Sequence, residues 1–305
     1  MSSGWFLVVL IAAFLHAAWN MLLKTARGGM AFTIIMLTAT VVLYLPGFLI
    51  VHDLGGFTRK AWLCVVGSGA VHGLYFTLLS ISYSRAHLSL AYPVARGSGA
   101  ALAALGGTAI LGERPDATGW TGIAAVLVGM GVLWVSEHVD GHLRSVPGAS
   151  RRRPQGIPGL WWALGTGVSI ATYSLVDKVG VSVSHPFAYV YLAMAFAAVI
   201  ILFVSLGQQR CAAVGGRSWR EGLVSEWNRN GTRAVAAGFF MLFTYLLVLF
   251  AMRASQLSYV APLRESSVLF SMLLGRLVLK EPISAHRWAA GAAICLGVVL
   301  LGLAR

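Results

Sequence analysis

The chain has 305 residues, 58% of them apolar against roughly 45–50% in soluble domains, and its charged side chains number only 23 basic and 10 acidic. Mean hydropathy is +0.77, and the charges are crowded into short segments between apolar runs of about 20 residues, the length that crosses about 30 Å of hydrocarbon as helix. A water-soluble globule is excluded and a polytopic membrane protein indicated; the net charge of +13 then reads as a topology signal, not as a nucleic-acid surface.

Ten spans follow in chain order: 4 to 23, 31 to 51, 61 to 83, 88 to 111, 118 to 136, 158 to 177, 187 to 206, 233 to 252, 256 to 279 and 285 to 304. The first has no basic segment before it and is followed by Lys24 and Arg27, the pattern of a retained span and not of a cleaved signal peptide. Between the fifth and sixth lies the one composition shift that reads as a linker, with Arg151, Arg152 and Arg153 beside Pro147, Gly148 and Pro154. The expected division is a first five-helix repeat over 1–140, a cytoplasmic linker over 141–157 and a second repeat over 158–305. Cys64, Cys211 and Cys295 are too scattered for a disulfide framework or a metal site.

The halves match each other. A shift of 154 places Trp19 on Tyr173, Asn20 on Ser174 and Lys24 on Lys178; a shift of 168 places Arg85 on Arg253, Arg96 on Arg264, Glu113 on Glu281, Trp120 on Trp288 and Gly129 on Gly297. The difference of 14 residues is one insertion, in the loop from Gly207 to Asn230. Five spans per half is an odd number, so the second half enters the membrane from the opposite side and the repeat is inverted. Loops after the odd-numbered spans hold 15 of the 23 Lys and Arg and the other side 6, which puts those loops in the cytoplasm and both termini outside. In the seventh loop, Trp219, Leu223 and Trp227 at i, i+4, i+8 predict a short amphipathic helix on the inner leaflet.

No HExxH, GxSxG or Walker sequence and no paired carboxylates within a span are present, so no enzyme activity, cofactor or metal is expected. Function is read instead from ionisable groups at mid-depth: Arg96 in the fourth span, and Arg264 with Glu265 in the ninth. Each arginine follows a proline, Pro93 or Pro262, and paired interruptions in corresponding spans point to a transporter's central site. Either the arginines hold substrate, or Arg96 and Glu265 form an internal ion pair between the halves. Glu265 is also the candidate proton carrier. His16, Trp19 and Asn20 share one helical face, as do His72, Tyr75 and Phe76; these, with Tyr92, Tyr173, Tyr245 and Tyr259, could wall an aqueous cavity or simply pack. Gly- and Ala-rich stretches such as Gly122 to Gly131 and Ala289 to Gly297 read as helix-packing faces. Glu113 and Glu281 read as interfacial turn residues, and Lys24 and Lys178 as anchors that reach the interface.

The stretch His16-Ala17-Ala18-Trp19-Asn20 with Lys24, the runs Ala91 to Arg96 and Ala261 to Glu265, and Gly112-Glu113 with Lys280-Glu281-Pro282 resemble, in this order and within a duplicated five-span frame, the ten-span EamA-type branch of the drug/metabolite transporter superfamily. The resemblance implies an all-α basket of ten transmembrane helices in two inverted repeats, a pathway lined mainly by spans 1, 3, 4, 6, 8 and 9, and alternating access in the cytoplasmic (inner) membrane. The expected function is secondary transport of a small anionic or zwitterionic, amino-acid-like metabolite, with protons as the candidate coupling ion and a monomer or homodimer in the bilayer. A flippase for lipid headgroups is the alternative reading; a membrane-embedded enzyme is a weaker one.

The charge asymmetry generates a direct test. A reporter fused after Arg305 should read as extracytoplasmic and one fused near Arg152 as cytoplasmic; a cytoplasmic carboxy terminus would reverse the orientation.

Overall fold

A computed structural model describes residues 2–26, 29–51, 56–85, 88–143, 157–211, 219–278 and 284–304. The linker expected at 141–157 falls almost wholly outside them. Bilayer hydrocarbon offers the backbone no hydrogen-bond partner, so long apolar segments satisfy themselves as helix. The helices are α1 (Ser3–Ala26), α2 (Met30–Val51), α3 (Arg59–Arg85), α4 (Leu88–Ala109), α5 (Ala117–Leu143), α6 (Ile157–Val183), α7 (Pro186–Cys211), α8 (Trp219–Ala254), α9 (Leu257–Arg264), α10 (Ser266–Val278) and α11 (Ala285–Leu303). Six of them, α1, α2, α3, α7, α8 and α11, contain stretches long and apolar enough by themselves to cross a membrane. Together α9 and α10 make the ninth span in two pieces, 8 and 13 residues, or about 12 Å and 20 Å of helix.

Packing follows the pseudo-two-fold that the sequence repeat implies. Exchanging α1 to α5 for α6, α7, α8, α9 with α10, and α11 maps the pair α3 and α6 onto α8 and α1, α2 and α8 onto α7 and α3, and α4 and α6 onto α10 and α1; all six contacts are made. On the axis, α5 packs on α11 and α2 on α7.

The surface is inverted relative to a soluble protein. Helix α1 buries Ala12, Ala13 and Ala17 and exposes Leu7, Ile11 and Phe14, a stripe at i, i+4, i+7; α7 likewise exposes Val199, Phe203 and Leu206. Such apolar belts require lipid around them. Inside, small residues bring backbones together. A Cβ added to Gly129 of α5 would stand 2.9 Å from the carbonyl oxygen of Ala290, and one on Gly297 of α11 would stand 2.7 Å from that of Gly122.

Two local expectations change. The segment with Trp219, Leu223 and Trp227 is helical but is not a separate interfacial helix: it is the first part of α8, whose 36 residues run about 54 Å without a break. Nor are the proline interruptions paired. Pro93 and Pro262 are each the sixth residue of their helix, yet α4 continues through Gly97 while the ninth span breaks at the matching position, Glu265. There the amide of Glu265 bonds back three residues to the Pro262 carbonyl at 2.9 Å, and Val268 bonds back three to Glu265 at 2.9 Å, a tight turn in place of the α-helical ladder. Under the shift of 168, Pro262 stands opposite Val94 and Glu265 opposite Gly97, so the repeats differ at both positions beside the break.

Gly129→Ala should cost about 1–3 kcal/mol through overpacking against α11, read as a lower melting temperature in detergent. Gly131→Ala, with nothing within 4 Å of the added methyl, should leave melting unchanged or raise it.

Candidate functional site

The break between α9 and α10 carries the central cluster. Arg96, nine residues along α4, is buried and fully engaged: its Nε donates to Glu265 Oε2 at 2.9 Å, its Nη2 to Ser267 Oγ at 3.3 Å, and its Nη1 meets His16 Nε2 at 3.3 Å. A guanidinium can only donate, so His16 Nε2 is the acceptor. The ion pair joins one repeat to the other, and Glu265 is only 1% exposed.

Arg264, the symmetry mate of Arg96, is placed differently. It is 4% exposed, its Nε has no hydrogen-bond partner, and its nearest carboxylate oxygen, Glu265 Oε1, is 4.0 Å away and itself without a hydrogen bond. The residue after it turns toward Arg96, and Arg264 lines a small central cavity of about 60 Å³. The walls come from α1, α3, α4, α6, α8 and α9, with Met194 of α7 added. His16, Trp19, Arg96 and Arg264 line it together with His72, Tyr75, Tyr173 and Tyr245; a second cavity shares His16, Trp19, Tyr75 and Arg96 and reaches Asn20. Asn20 turns its amide back to the His16 carbonyl at 2.8 Å. His72 stacks on Tyr173, with ring centroids 4.0 Å apart, and is held by the Ser68 carbonyl at 2.9 Å.

Two sequence candidates remain. The side chain of Tyr92 lies outside the described residues. Tyr259 is fully buried but lines neither cavity: its hydroxyl accepts from the Asp116 amide at 3.0 Å, and its ring lies where a Cβ on Gly119 would be. It packs the start of α5 against α9.

Three groups carry more than sequence reading assigned them. Asp177 of α6, fully buried, accepts from Tyr189 Oη at 2.7 Å and from Tyr245 Oη. It was hidden by its place at the end of a span, although it is an acidic residue in a segment otherwise free of acids. Glu113, expected as a turn residue, accepts from the amides of Leu257 at 2.6 Å and Ser258 at 2.8 Å, and so caps the N-terminus of α9 from across the bundle. Lys178, expected as an interfacial anchor, donates to the carbonyls of Met252 and, at 2.6 Å, Ser255, and so caps the end of α8. The short turn from α8 to α9 is thus held from both sides by charges of the appropriate sign.

The cavity wall is rich in unused donors. Trp19 Nε1, Arg264 Nε and the Thr244 hydroxyl are buried without a hydrogen-bond partner, and all three residues line it. Arrangements of this kind suit a ligand that brings acceptor oxygens.

Residues 157–303, the second repeat, match the EamA-like transporter family. A crystal structure of another protein superimposes on the whole chain with a TM-score of 0.74, covering 99% of this chain and 98% of that one at 20% sequence identity, a likeness of fold. No curated protein matches the sequence.

The ion pair and its neighbour should respond differently to truncation. Arg96→Ala removes the hydrogen-bonded partner of the buried Glu265 carboxylate, leaving only Arg264 at 4.0 Å among the described residues, and should destabilise by up to about 3–5 kcal/mol, most of it recovered by adding Glu265→Gln. Arg264→Ala, which removes no hydrogen bond, should change the melting temperature little.

Proposed function

The chain carries an EamA-like transporter family domain in its second repeat, and on that premise we propose that this multi-pass membrane protein is a secondary transporter of a small anionic or zwitterionic metabolite, with Arg264 holding the anionic group. One observation carries the reading: of two symmetry-related arginines, Arg96 is committed to Glu265, while Arg264 is buried, has no hydrogen bond to another described residue and faces the cavity. A desolvated guanidinium left in that state costs free energy that a carboxylate or phosphate returns through two parallel hydrogen bonds. Trp19 and Thr244 would add donors, and Tyr75, Tyr173 and the stacked His72 a flat apolar flank.

Transport would proceed by alternating access in the cytoplasmic membrane, the two inverted repeats rocking about the cavity. The turn at Glu265 is the natural hinge, because α9 and α10 share no continuous ladder across it. A family of transporters and a helical bundle with a buried central cavity both argue against an enzyme. The buried guanidinium and the polar groups around it support a water-soluble anion over a lipid headgroup as substrate.

The test is a thermal-shift screen of purified protein against amino acids, other carboxylates, phosphates and lipid headgroups, followed by counterflow of any stabilising compound in proteoliposomes. An anion or zwitterion should raise the melting temperature by mass action. Arg264→Lys, which keeps the charge and loses the planar fork, should weaken that ligand about tenfold or more, and Arg264→Ala should abolish the shift with the unliganded protein still folded. Full response in the Lys variant, or stabilisation by cations alone, would reject the assignment.

A further inference from the structure

Behind the cavity wall, beyond Tyr245, lies a second buried acid that the substrate reading does not use. Asp177 is fully buried, and neither of the ion pairs among the described residues, Arg96 with Glu265 and Arg264 with Glu265, includes it. Its two oxygens are instead held by two phenols, Oδ1 by Tyr189 at 2.7 Å and Oδ2 by Tyr245. The first leads away from the cavity: Tyr189 is fully buried, lines neither cavity, and its hydroxyl otherwise meets the Cys64 carbonyl, at 3.2 Å, and the buried Ser68 side chain. The second is a door, because Tyr245 also lines the cavity beside His72, Tyr173 and Arg264.

We propose that Asp177 is the proton-binding site of the transport cycle, reached from the cavity through Tyr245; the proposal rests on the transporter reading and adds the coupling ion to it. Ionised, Asp177 takes the Tyr245 hydrogen. When a proton from cavity water bonds to Oδ2, the carboxylate becomes a neutral carboxyl, its new O–H donates to the Tyr245 oxygen, and the Tyr245 hydrogen is freed to point into the cavity. The donor is a hydronium ion, which loses one O–H bond and becomes water as the carboxyl O–H forms; no other covalent bond changes, and the cavity gains a donor beside Arg264. Proton uptake and anion binding thereby favour each other through a single hydroxyl. A metal ion fits poorly here, since both phenol hydrogens already point at the carboxylate and few oxygen lone pairs face one spot.

Around this point α3 brings His72, Cys64 and, beside Cys64, Lys60; α7 brings Tyr189, α8 brings Tyr245, and α9 brings Arg264 near Tyr245. From α4, Arg96 is engaged by Glu265. Lys178, next in the chain, is turned to the α8 carbonyls. None of these supplies Asp177 with a permanent counter-ion at salt-bridge distance. Glu265, the carboxylate first expected to carry the proton, has that counter-ion in Arg96.

The experiment is an infrared pH titration of the purified full chain, reading the carbonyl stretch of protonated buried carboxyl groups; it needs no substrate, so it stands or falls apart from the screen for a ligand of Arg264. The wild type should show such a band, Asp177→Asn should lose it, and Glu265→Gln should keep it. Where Asp177→Asn fails to fold, Tyr245→Phe and Tyr189→Phe carry the test: each keeps the carboxyl but deletes one hydrogen bond to its ionised form, and each should displace the midpoint of the band. A band that survives Asp177→Asn, disappears in Glu265→Gln, or titrates unchanged in both phenylalanine variants would overturn the proposal.

Discussion

The hydrogen-bonded ion pair between Arg96 and Glu265 is the contact around which the centre of this protein is arranged. It crosses from one repeat to the other between two buried side chains, where a lone charge of either sign would be costly. Its geometry also settles its neighbours. Successive residues in a helix project about 100° apart, so with Glu265 turned to Arg96, Arg264 cannot face the same way and is directed at the cavity instead. The turn that lets Glu265 reach its partner divides the ninth span, and a divided span is a place where two rigid pieces can move against each other.

Around that centre, the bilayer reverses the usual sorting of side chains. Large apolar residues such as Leu7, Ile11 and Phe203 face outward because lipid receives them as readily as the interior would, whereas Gly122, Gly129 and Gly297 face inward because contact between helices depends on close approach. The ends of helices that stop short within the bundle are the remaining difficulty. Glu113 and Lys178 solve it for the α8 to α9 turn by placing a carboxylate on free amides and an ammonium on free carbonyls, with no water required.

Duplication supplied two equal frames, and the two frames have diverged in chemistry. Arg96 and Arg264 occupy matched positions, but Gly97 stands where the second repeat has Glu265, so one arginine becomes structural by virtue of the other repeat's acid and its mate is left available. Asp177 has no acidic counterpart either: its matched position in the first repeat is Leu23. The second repeat thus carries both added acids, Asp177 and Glu265, and the first repeat supplies the cation that keeps Glu265 occupied.

Hydropathy and spacing alone determined the helical membrane class, the five-span repeat and the small-residue packing faces, because each of these depends on periodic patterns that the bilayer imposes locally along the chain. The arginines, Glu265, His16, Trp19, His72, Tyr75, Tyr173 and Tyr245 were legible as candidates for the same reason: polar groups in apolar spans stand out singly. Which arginine is occupied, that Tyr259 belongs to packing and not to the cavity, that Glu113 caps a helix 144 residues away in sequence, and that two tyrosines from α7 and α8 converge on Asp177 were decided only by the tertiary structure. A hydrogen bond or ion pair between distant segments depends on angles and distances of a few ångströms set by the packing of all the helices together, and neither partner's local sequence carries that information.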